Sequence, residues 1–129
     1  MGKKQNRVLL FKRVFEELFH ESDDSLFFED LEEVVDEDAI DTINADFLEL
    51  NSKKDELLSI ISNASSENDI ERIFKVDLAI LLVATFELKY RPETPFKVVV
   101  NEAVNIAKRY STDKSYAYVN GVLAKIINN

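Results

Sequence analysis

Lys3, Lys4 and Arg7 crowd the start of the chain. Near its end, Lys114, Tyr118, Gly121 and Lys125 fall within one narrow arc of a helical wheel drawn at about 100° per residue. Ammonium and guanidinium groups meet phosphates, and an exposed tyrosine offers a face on which a base stacks, worth roughly 1–3 kcal/mol per base. The chemistry suggested is binding of single-stranded RNA. Tyr110 stands one turn before Lys114, with Lys108 and Arg109 beside it. Gly121 shares the arc although glycine in a helix costs about 1 kcal/mol relative to alanine. It suggests close approach by another chain, either a packed helix or an RNA backbone. Tyr116 groups instead with Val119, Val122, Leu123, Ile126 and Ile127 on the side read as facing the core. At the other end, positive charge on Lys3, Lys4 and Arg7 opposes the helix macrodipole, by a few tenths to about 1 kcal/mol per charge. Two accounts of that cluster stay open: a functional contact, or a solvated, frayed terminus.

Other chemistries lack their parts. The single histidine, His20, cannot supply a triad or a histidine-rich metal site, and the absence of cysteine removes thiolate ligands and nucleophiles. Glycine occurs only at positions 2 and 121, so no phosphate-cradling glycine loop exists. Asp36, Glu37 and Asp38 do not have the alternating ligands, central glycine and terminal glutamate of a calcium loop. The reading is a binding protein with no catalytic activity, no cofactor, no metal and no small-molecule substrate. The N-terminal apolar run is too short for a signal peptide, and no run approaches a membrane span, so a cytoplasmic location is expected.

The formal net charge of −9 argues on its face against a nucleic-acid ligand. Its distribution reverses that argument, because residues 21–50 hold thirteen acidic and no basic side chains, while residues 1–20 hold five basic against two acidic. The rest of the surface is free to be locally basic.

These residues need helices to position them. With two glycines and two prolines in 129 residues, the turns of an all-β protein have no material, and an all-α domain is expected. Val8, Phe11, Phe15 and Leu18 make the apolar stripe of a first helix over residues 6–20. In the acidic segment, Phe27, Leu31, Val34 and Val35, then Ile40, Ile43, Phe47 and Leu50, predict two more. KKDELLSIISNA predicts another, and Ser65 or Ser66 is placed to cap the next element. Residues 76–88, VDLAILLVATFEL, are apolar nearly all the way round, as in a helix enclosed at the centre of a domain. Pro92 stops it, Thr94 and Pro95 read as N-cap and first residue of a helix to 110, and a last helix comes after. The sum is a compact bundle of about seven helices.

The run PFKVVVNEAVNIAKRYSTDKSYAYVNGVL resembles the C-terminal signature of the NusB family of bacterial transcription antitermination factors, P-[YF]-K-V-x-[IV]-N-E-A-[IV]-x-[IL]-A-K followed by S-x-x-F-V-N-G-V-L. VDLAILLVATFEL is similar to that family's central helix, and the match is specific over residues 72–127. The resemblance implies one NusB-like domain over residues 1–129, with two small helical subdomains. It also implies pairing with a small-subunit ribosomal protein, NusE, and binding of the pair to boxA RNA within the RNA polymerase antitermination complex. Carried over by position, RNA contacts fall on Lys3, Lys4, Arg7, Tyr110, Lys114 and Tyr118, with Lys125 on the same arc, and partner contacts on Phe15 and Asp77. Leu82 departs from the family, which usually has arginine there. The rival expectation is a protein-interaction scaffold of the same fold with weak or lost RNA binding. A third, the N-terminal domain of an RNA methyltransferase sharing this fold, is disfavoured by chain length.

Overall fold

The computed structural model describes residues 3–18, 37–65 and 70–128. They form α1 (Lys3–Leu18), α2 (Glu37–Ser52), α3 (Lys54–Ala64), a 3-10 turn (Ile70–Arg72), α4 (Lys75–Tyr90), α5 (Phe96–Tyr110) and α6 (Ser115–Asn128). Among the described residues there is no strand, and the protein is all-α. Among the described residues there are six helices, about seven being expected of the whole chain; the helix anticipated over Phe27–Val35 lies outside the described residues.

The central helix is the one that its composition singled out. Val76–Phe86, eleven consecutive residues of α4, are buried. Helices α1, α3, α5 and α6 all pack against it, so every face of α4 has an apolar neighbour. Each fully buried leucine or isoleucine there contributes on the order of 1.5–3 kcal/mol relative to exposure. Leu82, at the family's arginine position, is fully enclosed, which an aliphatic side chain tolerates and an unpaired guanidinium would not. No helix among the described residues is long and apolar enough to cross a membrane.

The helix ends differ from the expected caps. Pro95 is the N-cap residue of α5, with no side-chain cap bond, so Thr94 and Pro95 each stand one place earlier than expected. Ser65 is the C-cap of α3, and its hydroxyl is 2.7 Å from Tyr118 Oη rather than capping the 3-10 turn. Ser66 lies outside the described residues. Arg91 closes α4 and donates to Asp46 at 2.9 Å and Glu49 at 2.7 Å, tying the end of the central helix to α2. The hydrogen bond from Arg91 holds the Glu49 carboxyl below the usual glutamate range. Its contribution is therefore present above that range and fades as pH falls through the lowered value.

Candidate functional site

Three clusters of polar and aromatic side chains surround α4. The first lies where α1 meets α4 and α5. Arg7 is buried, and its Nε donates to both carboxylate oxygens of Glu87, at 2.8 and 2.7 Å. Burial pushes the Glu87 carboxyl above the ordinary glutamate range, and the Arg7 guanidinium pulls it part of the way back. Arg7 was expected as a phosphate ligand. Its position three and four residues before the buried Leu10 and Phe11 puts it on their face of α1 and turns it inward, and its guanidinium is held by Glu87. Lys3 and Lys4 belong to α1 by their backbone, and their side chains lie outside the described residues.

In the same region Tyr110, half-buried at the end of α5, packs its ring 5.5 Å from that of Phe11. Lys12 Nζ sits 4.7 Å from the Tyr110 ring centroid and Arg109 Cζ 4.9 Å, so two cations flank one ring. Lys12 is a side chain that the reading for function missed. A signal was available: it stands four residues after Val8 and three before Phe15, on the apolar stripe itself, and is almost fully buried. Phe15 is also a core residue, with its ring 6.4 Å from Phe11, so a partner contact expected of it would run through its neighbours.

The second cluster joins the start of α4 to the turn between α5 and α6. Asp77 is buried and accepts from Ser111 Oγ at 2.6 Å and Ser115 Oγ at 3.0 Å. Each serine hydroxyl has one proton and gives it to the carboxylate, so Thr112 Oγ1, 2.8 Å from Ser115 Oγ, completes the network as a donor. Asp77 also lies in the first turn of α4, where the macrodipole favours negative charge. The carboxylate expected at a partner surface is in this structure an internal clasp. Among the described residues no three carboxylates or imidazoles converge as metal ligands would.

The third cluster is α6. Val119, Val122 and Leu123 face the core as expected, and Ser115 joins them in place of Tyr116, a turn of the buried face that exchanges the two tyrosines. Tyr118 is half-buried and bonds to Ser65, whereas Tyr116 is 43% exposed, with Lys108 Nζ 5.2 Å from its ring centroid. Lys114 and Lys125 are exposed. Gly121 is exposed too, and a Cβ built on it meets nothing within 4 Å, so no helix among the described residues requires the glycine. Gly121→Ala is expected to stabilise the free protein by about 0.5–1 kcal/mol, read as a rise in the thermal midpoint. A fall would mean that the backbone there needs glycine.

Beside Gly121 a groove of about 720 Å³ runs between α5 and α6, floored by Val100, Val104 and Ile127 and edged by Phe96, Tyr116 and Lys108. The structure thus brings Tyr110, Lys12 and Arg109 together at one corner, with Lys114 a short turn away, and sets Tyr118 on the α3 side of α6.

Fold and clusters together define an all-helical domain built round one enclosed helix, with its cations and aromatic rings on the surrounding helices. The NusB family model matches residues 4–128, and the chain belongs to that family. It is 39% identical to the transcription antitermination protein NusB of Lachnoclostridium phytofermentans, over 99% of this chain and 100% of the relative. To that of Clostridium novyi it is 31% identical, over 98% of each. Among solved structures, T. maritima NusB superimposes with a TM-score of 0.83 at 28% identity, covering 100% of this chain and 92% of the other. A crystal structure of the antitermination factors NusB and NusE in complex with dsRNA gives 0.78 at 26% identity, covering 98% and 96%.

Proposed function

We propose that this chain is a transcription antitermination factor that binds boxA-type RNA together with a NusE-type ribosomal protein, without catalysis and in the cytoplasm. The observation that carries this reading is its full-length correspondence with a curated antitermination protein, 39% identical from end to end. The solved NusB similar to it in a complex with NusE and RNA supports the choice of partners. We read residues 1–129 as one NusB-like domain acting within the RNA polymerase antitermination complex.

The RNA face we favour combines Lys3 and Lys4 with the exposed Lys114 and Lys125 as phosphate ligands. Tyr110 with Arg109 beside its ring forms an aromatic, cationic corner on the same reading. Arg7 and Tyr118 would act from behind, Arg7 by fixing α1 on Glu87 and Tyr118 by fixing α6 on Ser65.

Titrating labelled boxA RNA with the protein, with and without the ribosomal partner, tests the function. Binding is expected in the presence of the partner, and no binding in either case would overturn the proposal. Replacing Lys3 and Lys4 together by alanine is expected to weaken binding and flatten its salt dependence. The change in log–log slope is about 0.7–1 unit per lost phosphate contact. An unchanged slope would remove both lysines from the face.

A further inference from the structure

We propose that the groove between α5 and α6 is a docking site for a protein partner presented as an amphipathic helix whose apolar row is flanked by aspartate and glutamate. This goes beyond the RNA and ribosomal-protein reading and does not rest on it. The groove is continuous with a second, of about 560 Å³, through Phe96 and Ile127, which line both. Among the described residues every charged side chain lining the two is a lysine, Lys97 and Lys108 in the first and Lys89, which also pairs with Glu56 at 3.4 Å, in the second, in a protein of net charge −9. An apolar floor with a lysine rim, Lys97 and Lys108 foremost, is complementary to an acidic amphipathic helix.

The floor also has the right relief. Ala117, Gly121 and Ala124 recur at spacings of four and three along α6, and the open space over Gly121 lets another backbone come close. Phe96 is 51% and Tyr116 43% exposed, a contiguous apolar edge of the kind that marks protein contacts. RNA fits less well. The floor is aliphatic, and Lys108 covers a face of Tyr116, the aromatic ring on which a base would stack beside Gly121.

The test uses the full chain, isotopically labelled, and a designed helical peptide of about five turns with leucine at successive i, i+4, i+7 positions and glutamate on both flanks. An isomer has lysine for glutamate. The acidic peptide is expected to shift the backbone amides of Ala117, Gly121 and Ala124 and to bind at least about tenfold more tightly than the basic one. Lys97→Glu with Lys108→Glu, both exposed positions, is expected to reverse that preference. Gly121→Gln, whose Cβ meets nothing within 4 Å, is expected to abolish binding of both peptides without lowering the thermal midpoint. The proposal is overturned by absence of binding, by equal affinity for the two peptides, or by shifts confined to other helices. It is equally overturned if a single-stranded RNA oligonucleotide perturbs the same amides and displaces the acidic peptide.

Discussion

Arg7→Ala is expected to lower the free energy of unfolding by about 3–5 kcal/mol at neutral pH, because it leaves a buried carboxylate without its partner. Arg7 and Glu87 side chains are 8% and 12% exposed, so solvent screens the lost attraction little. The pH dependence distinguishes this cause from simple loss of packing. Glu87 titrates above the ordinary glutamate range in the folded protein through burial, and without Arg7 it rises further. A carboxyl with a raised folded value favours the native state below its unfolded value, and that advantage is lost as pH rises through the folded one. The deficit of the variant should therefore be largest near neutrality and shrink as Glu87 becomes protonated, to about 1 kcal/mol in mild acid, the packing share. Urea unfolding of both proteins across that range would show it. A deficit independent of pH would assign the effect to packing alone. The consequence for function is practical: loss of RNA binding in an Arg7 variant cannot be read as loss of a phosphate contact unless folding is measured alongside.

Asp77→Ala is expected to cost about 3 kcal/mol, since hydrogen bonds to a charged acceptor are worth roughly 1.5–3 kcal/mol and two hydroxyls lose theirs together. Asp77→Asn keeps one carbonyl acceptor and should lose only about 1 kcal/mol. The alanine variant should also speed amide exchange through Thr112–Ser115, where Ser111 and Ser115 clasp the turn to α4. Stability within about 0.5 kcal/mol of the parent would show that the network does not hold the turn. A loss of about 3 kcal/mol would instead give Asp77 a route to partner binding through the position of the α5–α6 turn, next to Lys114 and Tyr110.

The elements were legible where one helix period decided everything. The α4 run is apolar on all sides, so no choice of face was needed, and the stripe containing Phe11 and Phe15 correctly put both in the core. The family correspondence places Phe15 at a partner surface, and with the side chain 5% exposed such a contact would be made through its neighbours. Tyr116 and Tyr118 were exchanged because both sit on the flanks of the buried face of α6, about 80° to either side. Which flank is covered depends on α3 lying against the Tyr118 side, a tertiary fact that periodicity does not contain. The burial of Arg7 was not legible for a related reason, its partner Glu87 being 80 residues away in the chain. Helix ends slipped by a residue, as at Pro95, because caps compete locally while packing sets the boundary.

That separation of 80 residues between Arg7 and Glu87 has a meaning during synthesis. At about 5–20 residues per second, a ribosome takes roughly 4–16 s to proceed from one to the other. Throughout that interval α1 has been made, yet the helix against which Leu10, Phe11 and Val14 are buried does not exist. Until α4 emerges, α2 is the one described helix packing on α1 that has been made, and Arg7 is without Glu87. The basic start of the chain becomes a latch only when the central helix arrives.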